Sequence, residues 1–204
     1  METAVLVPIK GFSAAKQRLE GALSAGQRQQ LARWTAERVL GASGEHPTYV
    51  VCDDDVVAAW ARDHGAHVLW EVDRGLNAAV DHAVHCLAVE GHRHVVVVHG
   101  DLPHPTPLGA FAAPGVITLV PDRHDDGTNL MSFPIATPLL AAYGQGSFRR
   151  HLIQAMSLGV GVQVVRDSLM ALDLDHPSDL DHPLVKELLP AWLRTNPVNP
   201  PPTS

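Results

Sequence analysis

Apolar and polar positions change period repeatedly along this chain. Residues 4–9 form an apolar run of strand length, and residues 10–15 a small-residue loop behind it. From about 27 to 40 the apolar positions Leu31, Trp34, Val39 and Leu40 keep helical spacing. Gly41 and Gly44 come next, where helix carboxyl ends prefer glycine. Residues 49–52 predict a second strand. Asp53 and Asp54 then offer an N-cap for a helix that reaches about His64 and ends at Gly65. Residues 67–70 predict a third strand, and over 75–90 Leu76, Val80, Ala83, Val84 and Leu87 return to the helical period. Residues 94–99 set four consecutive valines between histidines, the mark of a strand buried on both faces. Further strands are expected at 116–120 and 129–133, a helix at 147–158, an edge strand at 162–165 and a short extended piece at 172–174. Ser178 is placed to cap a last helix that runs toward Leu193, with an interruption at Pro183.

Strands alternating with helices call for an α/β domain, a mainly parallel sheet with helices on both faces. In such sheets ligands bind beyond the carboxyl ends of the strands, so the residues just past each strand matter most. No linker divides residues 1–194, which read as one domain. Residues 195–204, TNPVNPPPTS, read as a disordered proline-rich tail.

Composition narrows the function. With 46% hydrophobic but only 5% aromatic residues, valine, leucine and alanine must fill the core. A formal net charge of −7 argues against a nucleic-acid partner but leaves room for a mononucleotide in a local cationic pocket. No apolar run approaches the ~18 residues of a membrane span. The N-terminus has no basic leader segment, and Cys52 and Cys86 lie in apolar stretches without CxxC spacing, so a cytoplasmic protein with reduced thiols is expected. Whether it forms a homodimer is open at this level.

The first loop, VPIKGFSAAKQRL, gathers Lys10, Lys16 and Arg18 at a strand's carboxyl end, a natural phosphate cradle. It matches neither GxxxxGK[ST] nor GxGxxG, and a solvated basic turn is its alternative. The valine strand leads into Gly100-Asp101-Leu102-Pro103, where a carboxylate past a central strand could hold a hard cation and the glycine would let a ligand approach; a plain turn is the alternative. In Leu172-Asp173-Leu174-Asp175, extended alternation sends both carboxylates to one face. Two such charges about 4 Å apart repel by roughly 4 kcal/mol at an effective dielectric of 20, a penalty that bound Mg²⁺ would reverse. A solvated acidic turn is the alternative there. Asp179 and Asp181 read as helix-start residues. Gly127-Thr128-Asn129 offers a turn, a hydroxyl and an amide, and the glycine-rich turn Gly144 to Ser147 opens a helix whose N–H groups could grip a phosphate or carboxylate, or simply cap it. Asn77 could cap its helix or bond a nucleotide. The scattered histidines, lacking HExxH, read as core or polar residues rather than metal ligands.

The segments VPIKGFSAAKQRL, GLNAAVDHA, GDLP, PDRHDDGTNLM, YGQGSFRRH and LDLDHPSDL, in that order, resemble the CofC/FbiD family of guanylyltransferases of coenzyme F-420 biosynthesis. The resemblance spans about residues 5–180. It implies a three-layer, Rossmann-like, MobA-like nucleotide-diphospho-sugar transferase fold with a mainly parallel mixed sheet. It also implies transfer of a guanylyl group from GTP to phosphoenolpyruvate or 2-phospho-L-lactate, with release of pyrophosphate. By motif, Asp101, Asp173 and Asp175 would hold Mg²⁺, and Lys16 and Arg18 would serve catalysis with Asp101. Thr128, Gly144 and Ser147 would bind the phospho-acid; Lys10 and Asn77, from their own positions in the chain rather than by motif, are the nucleotide-binding candidates. The sequence departs from the family at His104-Pro105 after GDLP, and at Asp125 and Asp126, whose charge would oppose an anionic substrate. Two alternatives are a molybdenum-cofactor or sugar-phosphate nucleotidyltransferase of the same fold, and a non-catalytic nucleotide-binding homologue.

Overall fold

In the computed structural model, residues 2–71 and 75–194 are described; the proline-rich tail expected at 195–204 lies outside them. Seven strands form one sheet: β1 (Thr3–Pro8), β2 (Thr48–Cys52), β3 (His67–Trp70), β4 (His94–Val98), β5 (Val116–Pro121), β6 (Thr128–Pro134) and β7 (Gly161–Val164), in the order β3-β2-β1-β4-β6-β5-β7. All neighbours pair in parallel except β6, which runs against both β4 and β5. The edge strand expected near 162–165 is β7.

Alternation within the central strands builds the layers. Ala4, Leu6, Val95 and Val97 bury one face against α3 (Gly75–Val89) and α4 (Ser147–Ser157), whose Val80, Ala83, Leu87, Phe148 and Ala155 join the same cluster. Val5, Val7, Val96 and Val98 face the other way, toward Val39 of α1 (Ala25–Gly41). On that second face, Val50 and Cys52 meet Ala32 and Ala36 of α1 and Val57, Ala58 and Ala61 of α2 (Asp55–Asp63). Two helix layers thus enclose the sheet, giving the mixed, mainly parallel three-layer architecture expected. At ~25 cal/mol per Å² of buried apolar surface, covering both faces of the central strands contributes strongly to stability.

Helix starts reflect local chemistry. Ser24 and Gln27 form a reciprocal capping box, so α1 begins two residues before the apolar period suggested. Asp54 caps α2 through the Val57 N–H at 3.0 Å. The expected last helix is broken into α5 (Pro177–Leu180), α6 (Pro183–Lys186) and α7 (Ala191–Arg194), because prolines at 177, 183 and 190 keep restarting the backbone. These pieces carry Leu180, Val185, Leu189 and Leu193 into a separate cluster with Leu19, Leu23, Leu31, Leu172 and Leu174. That cluster fastens these last described helical pieces to the loop after β1.

β4 leaves the switch point where strand order turns from β1-β2-β3 to the opposite side, the usual ligand crevice of open α/β sheets. Because β6 is antiparallel, its beginning at Thr128 meets the same rim as the carboxyl ends of β1 and β4. Among the described residues no helix is long and apolar enough to cross a membrane.

Candidate active site

Three separate stretches meet at the rim. After β1 the backbone makes two single 3-10 turns, Phe12–Ala14 and Gln17–Leu19, anchored by buried Phe12 and Leu19. Between them Lys16 has φ 57, a left-handed conformation unusual for a residue with a Cβ. The Lys16 side chain is 6% exposed, and its Nζ lies 3.2 Å from Asp101 Oδ2 and 3.5 Å from Asp175 Oδ1. Asp101 stands in the turn after β4. That turn is fixed by the His99 N–H donating to the Asn129 carbonyl at 3.0 Å, by fully buried Leu102, and by Arg38 donating to the Pro103 carbonyl. The space beside Gly100 is filled by Ile9, 3.3 Å from where a Cβ would sit, so this glycine lets two rim segments pack closely.

The third stretch is LDLD. Leu172 and Leu174 sink into the leucine cluster, which turns Asp173 and Asp175 the opposite way. Buried Asp179 accepts the N–H groups of Asp175 and His176 at 2.8 and 2.6 Å and pairs with Arg123. The cap at this position is therefore Asp179 acting back on the turn, not Ser178 as the sequence suggested. In consequence, single carboxylate oxygens of Asp101, Asp173 and Asp175 lie within 4.8 Å of one another.

Charge at this junction is not balanced. Burial works to raise the Asp101 carboxyl, but the Lys16 ammonium and His99 outweigh it and hold that group below the usual carboxylate range. Asp173 is pushed up to about 7, first by burial and then by the charges of Asp101 and Asp175. Asp101 Oδ1 is buried without a hydrogen-bond partner. Three hard oxygen donors in mutual repulsion, one of them orphaned, fit a small divalent cation with oxygen preference.

From this junction a cleft of about 290 Å³ runs along the carboxyl ends of β1, β2 and β3. Lys10, Lys16, Asp101 and Asp175 line its charged end; Phe12, Ala32, Val51, Leu76 and Ala79 give it apolar walls.

The remaining sequence-derived candidates lie elsewhere. Arg18 is 67% exposed and reaches Asp175 Oδ2 at 3.4 Å, on the outside of the junction. Thr128 and Ser147 are buried, and their hydroxyls are committed to each other at 3.3 Å and to His151 Nδ1, 2.9 Å from Thr128 Oγ1. Gly144 (φ 115) and Gly146 (φ 71) shape the turn before α4, but the Gly146 N–H donates to Asp126 Oδ1 at 3.1 Å. At the amino end of α4, which the sequence left as either an anion grip or a plain cap, one N–H is thus taken by a carboxylate of this chain. Asp125, for its part, pairs with Arg166 at 3.3 Å. Asn77 is not among the residues that line the cleft. Its Oδ1 accepts from the Tyr143 N–H at 2.7 Å and its Nδ2 donates to the Tyr143 carbonyl at 3.4 Å, pinning the glycine-rich turn to α3.

Residues 3–186 match the family model described as "Guanylyl transferase CofC like". The chain belongs to this guanylyl transferase family. A phosphoenolpyruvate guanylyltransferase of Sphaerobacter thermophilus is 32% identical over 190 residues, covering 89% of this chain and 92% of that protein. A 2-phospho-L-lactate guanylyltransferase of Methanothermobacter thermautotrophicus is 28% identical, covering 88% of this chain and 83% of that protein. Among solved structures, one described as a nucleotide-diphospho-sugar transferase from Desulfovibrio desulfuricans superposes with a TM-score of 0.76 at 15% identity, covering 96% of this chain and 91% of that one. That likeness speaks to the fold.

Two cleft residues of this CofC-like chain carried no motif signal. Glu71, at the end of β3, and His99, at the end of β4, both line the cleft. Position after a strand was the available clue, the same one that singled out Asp101. Neither residue sits in a recognisable motif, and the strand ending at Trp70 is too short and half-exposed for its terminus to stand out.

Proposed function

We propose that this guanylyltransferase joins GTP to a small phospho-carboxylic acid, releases pyrophosphate, and works in coenzyme F-420 biosynthesis with Mg²⁺ as its cation. The observation that carries this reading is the meeting of Asp101, Asp173 and Asp175 within 4.8 Å, beside Lys16, at the mouth of a nucleotide-sized cleft. A structural acidic turn would not bury one carboxylate and leave its oxygen without a partner.

The three aspartates would hold the Mg²⁺. When bound, the cation supplies charge neutralisation where two polyanions must approach, and Lewis-acid polarisation of a phosphoryl oxygen. The chain's own part is positioning. Lys10 and Lys16 offer ammonium groups to the triphosphate from one wall of the cleft, and Arg18 adds a longer-range positive field from outside. The acceptor's phosphate monoester has its second pKa near 6, so its oxygen is mostly ionised at neutral pH and needs no general base. His151, its pKa lowered to about 4 chiefly by burial, is bonded to Thr128 and does not line the cleft, so it is not assigned that role.

For the acceptor we favour phosphoenolpyruvate, the substrate named for the relative at 32% identity, over 2-phospho-L-lactate, named for the one at 28%. Incubation with GTP, Mg²⁺ and both acids in competition, with mass spectrometry of the products, tests this directly. The expected product is the guanylylated phosphoenolpyruvate with stoichiometric pyrophosphate. GTP binding without pyrophosphate release from either acid would reject transferase activity in favour of a non-catalytic homologue.

A further inference from the structure

At the end of the cleft away from the aspartates, Glu71 lines the wall beside Val51, Leu76 and Ala79, with His82 against its carboxylate. It comes directly after β3, and three inter-strand steps of ~4.8 Å separate it from the terminus of β4 that carries Asp101, a span of ~14 Å. A nucleoside triphosphate lying across the strand ends with its phosphates at Asp101 and Lys16 reaches toward that far end with its base. There the walls are Val51, Cys52, Leu76 and Ala79, a slot suited to a flat aromatic ring.

The Glu71 side chain is 5% exposed, although it lines the cleft. Its position is well defined: the Glu71 N–H donates to the Cys52 carbonyl at 3.0 Å, and Oε1 meets Nδ1 of His82. Leu76, Ala79 and His82 stand at three-residue steps on α3, so one helix face supplies both the apolar wall and the imidazole that orients the acid.

We infer that Glu71 is the residue that selects guanine, its carboxylate accepting from the two adjacent donors on the Watson–Crick edge, N1–H and the 2-amino group. The chemistry discriminates by donor pattern. Adenine turns the N1 lone pair toward a carboxylate, which repels it. Cytosine offers one amino donor beside an acceptor, and hypoxanthine keeps N1–H but lacks the amino group. Only guanine presents two parallel donors to two oxygens, the fork geometry that carboxylates bind best. The inference rests on the guanylyltransferase reading and deepens it by assigning base specificity within the same cleft.

The test is isothermal titration of the full-length protein, with Mg²⁺ present, using GTP, inosine triphosphate and 1-methyl-GTP. For the wild-type protein, loss of the 2-amino group should weaken binding about tenfold, and blocking N1 should weaken it about 100-fold. Glu71→Gln should weaken GTP about 10- to 100-fold and bring GTP and inosine triphosphate close to parity. Mn²⁺ binding at the aspartates, monitored by electron paramagnetic resonance, should not change. Asp53→Asn, at the neighbouring strand end, serves as the comparison and should keep the wild-type preference. Equal wild-type affinity for the three nucleotides overturns the inference without needing any variant to fold. So does a Glu71→Gln protein that retains the preference, or a preference that moves with Asp53 instead. A wild-type protein that binds no purine triphosphate rejects the guanylyltransferase reading itself, and this inference with it.

Discussion

Two polar clusters flank the end of β4, and they are built on opposite principles. The Thr128, Ser147 and His151 cluster is buried and closed: the hydroxyls and imidazole bond one another, and His151 Nε2 also accepts the Ala142 N–H at 2.8 Å. The cluster of Asp101, Asp173 and Asp175 is open: like charges are forced together, one oxygen has no partner, and the buried Lys16 ammonium compensates part of the charge. A closed cluster lowers the energy of the fold as it stands. An open one leaves unfavourable charge in place, which the proposed Mg²⁺ would offset. Residues that motif reading grouped as one site thus fall, in the structure, into two separate clusters.

The largest expected effect is at the open cluster. Asp101→Asn should lower turnover on the order of 10³-fold with an unchanged circular dichroism spectrum; near-normal turnover would dissolve the contrast. Next is Lys16→Met, expected to lower turnover roughly 10²-fold, read by steady-state kinetics with GTP. Asp173 combines both sides of the comparison. Its folded-state pKa, about 7, lies above the value near 3.9 of an unfolded chain. Its contribution to stability is therefore fully present below about pH 4 and is lost as pH rises through about 7. Without divalent ions, Asp173→Asn should raise Tm at pH 8 by roughly 2–4 °C while abolishing turnover. A variant less stable than wild type at pH 8 would contradict the repulsion. The smallest catalytic effect belongs to the closed cluster. Thr128→Val should cost about 1–3 kcal/mol in denaturant unfolding, because His151 and Ser147 lose a partner. Its effect on kcat should be less than about threefold. A large rise in the acceptor KM would instead put that hydroxyl on the substrate.

The layers were legible because each central strand is buried on both faces, and the four valines of β4 permit little else. The meeting of Asp101 with LDLD was legible for a related reason: alternating leucines force the acids to the opposite side, and a strand end at the switch point receives them. The features that escaped the sequence depend on partners remote along the chain. Asn77 looked like a cap or ligand, but its amide is taken by Tyr143, sixty-six residues away. The glycine-rich turn looked like an anion grip, but whether helix N–H groups are available depends on Asp126, a residue in another loop. Local chemistry sets what a side chain can do, and only the tertiary fold decides which of its options is still available.

The left-handed backbone at Lys16 sets a trade between durability and work. Glycine adopts that conformation at no steric cost, so replacing Lys16 by glycine would relax the loop while removing the ammonium buried among the acids. Efforts to harden this protein by relieving unfavourable backbone angles would be drawn to the very position whose charge the proposed chemistry uses.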